Sequence, residues 1–276
     1  MNFTKMQGAG NDFIIIDNRI EKLPQEALSP LAARLCTRRM SVGADGLMAI
    51  EYPEAGGDFR MMFFNADGTM GEMCGNGARC IVRYGYENGL GGEEINVETT
   101  AGMIQGWRLS ENQYKIKLNE VTQLNLGLPL EIQGQIYQCG YVELGYPGVP
   151  HLVVEYPNLQ ETDLNSLRKL GKALRYHQAL PKGANVNFYE RAKDGVIFER
   201  TFERGVEDFT YACGTGTAAV AAVLTTAGII GNDYVEVNMT GGTLRIDVEK
   251  NPDGTIKTLY LTGPTEVVAK GILKKE

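Results

Sequence analysis

The sequence predicts an α+β chain of two pseudo-symmetric β-rich domains, each built round a central helix, with a site in the interdomain cleft. Three observations carry this. A pattern of about 140 residues is written twice, most segments have the apolar, β-branched character of strands, and each copy holds one clear helix just after a glycine-flanked cysteine. A chain of 276 residues with 43% apolar residues can fill two cores. The expected boundaries are 1–118 plus 263–276 for one domain and 119–262 for the other.

The duplication rests on four matches in one order. "GNDFIIID" from Gly10 finds "GVPHLVVE" from Gly148, "GADGLM" from Gly43 finds "GANVNF" from Gly183, Cys74 finds Cys213, and "EINVETTAG" finds "YVEVNMTGG", with offsets of 138 to 140. Any one match is cheap in a chain with 34 glycines, but four in register are not. In the first copy "FIIID", "DFRMMFF", "EINVET" and "QYKIKL" read as strands, and "PQEALSPLAARLCTRRM" as a helix. The second copy offers "YVELG", "HLVVEY", "NVNFYE", "GVIFERTF", "YVEVN", "LRIDVE" and "TLYLTG" as strands and "DLNSLRKLGKALRYH" as a helix. The central helices are "GARCIVRYGYENG" and "GTAAVAAVLTTAG", each closed by a glycine. The leftover "TEVVAKGIL" is expected to return as a strand to the first domain.

Composition narrows the function classes. A net charge of -7 without long like-charge runs argues against nucleic acid as a partner. The N-terminus has no basic region before a long apolar stretch, and no window approaches the roughly 18 apolar residues of a membrane span. A cytoplasmic protein is expected. Five cysteines, an odd number, do not suggest a secreted disulfide framework. His151 and His177 lie 26 positions apart, with no CxxC, so no metal site is expected.

Each repeat places its cysteine where a loop becomes a helix. First-turn N–H groups there are unpaired and carry partial positive charge, which favours a thiolate. Gly75 and Gly77, or Gly214 and Gly216, let a carboxylate approach bare backbone amides, so each site joins a base to an anion cradle. Cys80, Cys36 and Cys139 read instead as packing residues. Two equivalent thiols suit inversion of a hydrogen-bearing stereocentre, one removing a proton while the other delivers one to the opposite face. A competing pattern exists: "GTGTAA" fits GxGxxA, with Glu236 lying 22 residues after Gly214. The preceding "FERGVEDFTYAC" is too polar for the buried parallel strand that a dinucleotide fold needs.

Taken together, "KMQGAGNDFIIID", "GADGL", "FNADGT", "EMCGNGARC", "ERG", "ACGTG" and "LTGP" stand in the order of the diaminopimelate epimerases, which the chain resembles over nearly its whole length. The resemblance implies a racemase-type isomerase that needs no pyridoxal phosphate or other cofactor. Cys74 and Cys213 look like its acid/base pair. Asn11, Asn65, Asn185, Glu203 and Arg204 look like substrate ligands, and Gly75, Asn76, Gly214 and Thr215 look like the α-carboxylate cradle. His151 and Glu203 match positions flanking the reacting centre, and Arg204 matches the residue facing a distal carboxylate. A small-molecule amino-acid substrate and a homodimer are implied as well. Proline racemases have histidine where this chain has Asn76, and phenazine-pathway relatives lack the cysteine pair.

Read without the family, the asparagines serve equally well as turn residues, Arg204 as a surface charge and His151 as a structural histidine. Two departures concern recognition of the distal end. "GVPH" has Val149 where the family often has asparagine, and "ERGVEDFTYAC" is one residue longer than usual. They leave open a racemase of another amino acid, such as histidine, and a nucleotide-dependent oxidoreductase remains the reading from another class.

Overall fold

The computed structural model describes residues 1–71 and 74–274. Glu72 and Met73 of the first cysteine motif, and the last two residues of the expected first domain, lie outside the described residues. The chain divides into two compact units, Met1–Ile116 with Gly263–Glu276, and Lys117–Thr262.

The first unit contains β1 (Asn2–Gly8), β2 (Asn11–Asp17), α1 (Asn18–Glu21), α2 (Gln25–Cys36), β3 (Gly46–Glu51), β4 (Phe59–Asn65), β5 (Met70–Gly71), α3 (Gly75–Glu87), β6 (Glu94–Thr99), β7 (Gly102–Arg108) and β8 (Gln113–Lys117). The second contains β9 (Val121–Ile132), β10 (Gln135–Leu144), β11 (Val149–Glu155), α4 (Leu164–Arg175), β12 (Asn185–Arg191), β13 (Ile197–Glu203), β14 (Asp208–Phe209), α5 (Gly214–Thr226), β15 (Tyr234–Met239), β16 (Gly242–Lys250) and β17 (Ile256–Pro264). The last strand, β18 (Glu266–Ile272), pairs antiparallel with β1, as expected of the leftover segment.

The two units share one ladder. In the first the order is β18, β1, β2, β3, β4, β6, β7, β8; in the second it is β9, β10, β11, β12, β13, β15, β16, β17. The parallel pairs also coincide, β2 with β3 and β4 with β6 against β11 with β12 and β13 with β15. Each parallel pair is spanned by a helical crossover, which such pairs require.

Strand alternation explains why the central segments are apolar without a break. In β2, Ile14 and Ile16 join Leu28, Ala32 and Leu35 of α2 on one face, while Phe13 lies under α3 on the other. In the second unit Leu152, Val154, Val186, Phe188 and Phe202 face Leu167 and Leu174 of α4. The opposite faces of β11, β12 and β13 meet α5. Each central helix touches strands from both halves of its ladder, so each sheet curls round its helix. α5 is apolar on all sides and buried along most of its length, as an enclosed helix must be. Among the described residues, no helix is long and apolar enough to cross a membrane.

Several element edges differ from the sequence reading. β1 and most of the long β9–β10 hairpin were not expected, α2 stops at Cys36 short of Met40, and α4 stops at Arg175 short of His177. β9 alternates Leu124, Leu126, Leu128, Leu130 and Ile132 with other residues, a strand period that the sequence reading passed over; the interposed Gly127 and Pro129 are residues depleted in strands.

Candidate active site

Both cysteines are N-caps. Cys74 precedes α3 with φ -124° and ψ 123°, Cys213 precedes α5 with φ -125° and ψ 105°, and neither side chain caps its own helix. The helices close their first turns on these residues, through Ala78 N–H to the Cys74 carbonyl at 2.7 Å and Thr217 N–H to the Cys213 carbonyl at 2.9 Å. Gly75, Asn76 and Gly77, and likewise Gly214, Thr215 and Gly216, therefore form the first turn, whose N–H groups the helix ladder does not use. Cys74 is partly exposed and Cys213 is 7% exposed.

In the first unit the predicted residues form a directed chain. Arg79 Nη2 donates to Asn76 Oδ1 (2.9 Å), Asn76 Nδ2 to Asn11 Oδ1 (2.6 Å), and Asn11 Nδ2 to Asp45 Oδ2 (3.1 Å). A buried cation at one end and a carboxylate at the other thus fix both amides. Asn65 is committed to its own turn, donating to Thr69 Oγ1 at 3.0 Å, with its side chain beside Gly71. Arg79 and Asp45 escaped sequence reasoning. Arg79 is fully buried, which pulls its guanidinium down to about 10, and it also donates to the Gly75 carbonyl at 3.3 Å. Its only sequence signal is an arginine inside the otherwise small and apolar "GARCIV".

In the second unit Asn185 Oδ1 accepts the backbone N–H of Arg204 at 2.7 Å, and the Arg204 guanidinium donates to the Lys182 carbonyl at 3.3 Å. His151 stands opposite Asn185 in the parallel β11–β12 pair and is fully buried. Burial holds its imidazole down to about 3, with the Arg204 charge acting in the same direction and the Asn187 contact opposing. The Cys213 thiol lies 3.6 Å from Thr215 Oγ1.

The thiolate expected from the helix start is not met at Cys213. Burial holds this thiol well above its ordinary value and the Glu203 charge pushes the same way, overriding the pull of the Thr215 hydroxyl and the Gly216 amide. Desolvation of a charge outweighs the partial charge of one helix start. Cys80, expected in the core, is fully buried with its thiol pushed up to about 12.

Sequence reasoning also missed a buried polar cluster under α5, comprising Asn187, Glu199, Thr201 and Thr217. Glu199 and Thr201 share a strand face with Glu203, and Asn187 shares one with Asn185. Polar residues at the parity of a buried face were the available signal.

Within each unit, the helix start can hold a small anion beside a thiol. The family model described as Diaminopimelate epimerase matches residues 3–121 and 144–268. The chain is 37% identical to the diaminopimelate epimerases of Hydrogenobaculum sp. (strain Y04AAS1) and of Aquifex aeolicus (strain VF5), in both cases over 100% of this chain and 99% of the relative. Among solved structures, a phenazine biosynthesis protein of the PhzF family from Bacillus anthracis aligns with TM-score 0.74 at 16% identity, over 99% of each chain. A probable proline racemase from Agrobacterium radiobacter K84 aligns with TM-score 0.71 at 14% identity, over 100% of this chain and 93% of that one. At such identities these two speak to the fold alone. With the family model covering most of both units and full-length relatives above 30% identity, the chain belongs to the diaminopimelate epimerase family and is an isomerase of the epimerase type.

Proposed function

We propose that this protein interconverts LL-2,6-diaminopimelate and meso-diaminopimelate by a two-base mechanism in which Cys74 and Cys213 act on opposite faces of one α-carbon. The observation that carries this is the recurrence of one device, a cysteine N-cap with glycines in the following helical turn, at equivalent places in two repeated units. The first-turn amides of Gly75 and Asn76, and of Gly214 and Thr215, would bind the α-carboxylate and stabilise the charge that develops on it as the proton leaves. Asn11, Asn65 and Asn185 would orient the ammonium and carboxylate groups, with His151 and Glu203 flanking the reacting carbon.

Electrostatics divides the roles in the resting protein. Cys213, buried and near Glu203, is a neutral thiol suited to giving a proton. A thiolate at Cys74 would be attracted by the buried Arg79 cation, so Cys74 serves as the base. After one turnover the protons have exchanged places, and the reverse reaction starts from that state. No cofactor takes part in this scheme. The reaction would place the protein in the cytoplasm, in the supply of lysine and peptidoglycan precursors, acting as a homodimer.

Arg204 would bind the distal carboxylate through charge-assisted hydrogen bonds. Replacing it (Arg204→Gln) is expected to weaken diaminopimelate binding by about 1.5–3 kcal/mol, raising KM roughly 10- to 100-fold. A KM unchanged within twofold would remove Arg204 from the distal site.

Val149 favours keeping one competitor in the assay. It occupies the start of β11 at the place of Asn11 in the first unit, so a polar partner present in one repeat is absent in the other. The test is incubation of the reduced protein in heavy water with LL-diaminopimelate, and separately with L-histidine, without added cofactor. Deuterium at the α-carbon of diaminopimelate, with formation of the meso isomer, is the expected result. Exchange confined to histidine would reassign the substrate, and exchange that requires a nicotinamide would sink the reading.

A further inference from the structure

The cluster under α5 obeys a strict proton count. Asn187 Nδ2 lies 3.0 Å from the Leu152 carbonyl, which can only accept, so this atom of the amide must be the nitrogen. The same Nδ2 lies 3.3 Å from His151 Nδ1. An amide NH₂ only donates, so His151 Nδ1 must be the unprotonated nitrogen of a neutral ring, and the ring proton sits on Nε2. On its other side Asn187 Oδ1 only accepts, and it takes the hydroxyl proton of Thr201 at 3.1 Å. Thr201 Oγ1 is also 3.0 Å from Glu199 Oε1. The single Thr201 proton cannot serve both, so both contacts are hydrogen bonds only if Thr201 accepts from Glu199, which must then carry a proton to donate.

We propose that Glu199, kept as a neutral carboxylic acid, heads a one-directional hydrogen-bond chain through Thr201 and Asn187 that fixes His151 as the neutral Nε2–H tautomer. Glu199 is then a positioning residue for the half of the site that carries Cys213. The inference rests on the proposed acid/base role of Cys213, but the chain itself is read from geometry alone. Burial, the largest influence on it, pushes the Glu199 carboxyl up to about 8, which agrees with a protonated acid at neutral pH. The lowered value at His151 agrees with a neutral ring. His151 Nε2 is buried and has no hydrogen-bond partner among the described residues. A fixed donor of this kind suits an oxygen of the bound amino acid as that oxygen gains charge.

The first repeat shows that the fold does not need this chain. By ladder register, His151, Asn187, Thr201 and Glu199 take the places of Phe13, Met48, Phe63 and Met61. Met48 and Phe13 lie against Gly77 in the first turn of α3, and Asn187 and Thr201 against Gly216 in the first turn of α5. An added Cβ at Gly77 would collide with Met48 and one at Gly216 with Asn187. One chain thus solves the same packing problem once with apolar side chains and once with four buried polar ones. Burying polar groups stabilises less than apolar packing of similar volume, so packing does not account for the second solution.

The test uses the full-length reduced protein with ¹⁵N-labelled histidine. There are only two histidines, so the variant His177→Gln assigns both rings. At neutral pH, His151 is expected to show an unprotonated Nδ1 and a protonated Nε2. A protonated Nδ1 in the unsubstituted protein overturns the proposal, whatever the substrate proves to be. For kinetics, Glu199→Met, which copies the first repeat, is expected to lower kcat about tenfold with KM within about twofold. Glu199→Gln, which can still donate to Thr201, is expected to restore kcat to within about threefold. Unchanged kcat in Glu199→Met, or a loss as large in Glu199→Gln, overturns the positioning role. If the unsubstituted protein exchanges no α-proton of diaminopimelate, the substrate reading fails, while the ¹⁵N pattern still decides the chain.

Discussion

At the scale of single residues, burial sets the protonation states that the proposed chemistry needs. His151 and Glu199 are both neutral in the fold, and they respond to pH with opposite sign. The His151 value is held down to about 3 against an ordinary 6.5, so its contribution to stability is complete above 6.5 and is lost as pH falls toward 3. The Glu199 value is raised to about 8 against 4.5, so its contribution is complete below 4.5 and is lost as pH rises through 8. Between pH 6.5 and 8 His151 is neutral in folded and unfolded chains alike, which leaves Glu199 visible. Urea unfolding across that window should show about 2 kcal/mol of stability lost that Glu199→Gln does not lose. Equal slopes in the two proteins would mean that Glu199 is ionised in the fold. The cysteines themselves were legible as N-caps from their glycine neighbours, but the state of Cys213 was not. A helix start is visible in sequence, whereas burial by the packing round α5 and the charge of Glu203 come from residues brought together only by the fold.

At the scale of elements, the first turn of each central helix is held close to its sheet by a glycine. Gly77 faces the flexible end of Met48, whereas Gly216 faces Asn187, which three hydrogen-bond partners pin in place. Met48 can swing aside and Asn187 cannot. Gly216→Ala is therefore expected to destabilise by about 1–3 kcal/mol, and Gly77→Ala by clearly less. Chemical denaturation of the two variants checks this, and an equal or reversed order would show that the Asn187 chain is not rigid. Where burial and period agree, as in "FIIID" or the enclosed "GTAAVAAVLTT", the elements could be read directly from the sequence. In β9 the period was present, with Leu124, Leu126, Leu128, Leu130 and Ile132 alternating, but Gly127 and Pro129 between them read as loop residues and the element was passed over. The turn residues Gln133 and Gly134, both at positive φ, were a second signal.

At the scale of the whole molecule, the chain is one plan used twice and then specialised once. The ladder order, the parallel pairs and the cysteine-capped helices repeat. Four equivalent ladder positions do not, being apolar as Phe13, Met48, Phe63 and Met61 in the first unit and polar as His151, Asn187, Thr201 and Glu199 in the second. The repeat was legible because glycines and cysteines recur at a nearly constant offset. Its divergence was not, because Met48 and Asn187, or Phe63 and Thr201, can be compared only once the strands are in register. The central claim is that both thiols are required, one for each face of the substrate. Measuring the initial rate of conversion of LL-diaminopimelate to the meso isomer, for the unsubstituted protein and for Cys74→Ala and Cys213→Ala, tests it most directly. The account expects each single variant to lose about 10²- to 10⁴-fold in kcat while remaining folded. Inversion at near the original rate in either variant would contradict it.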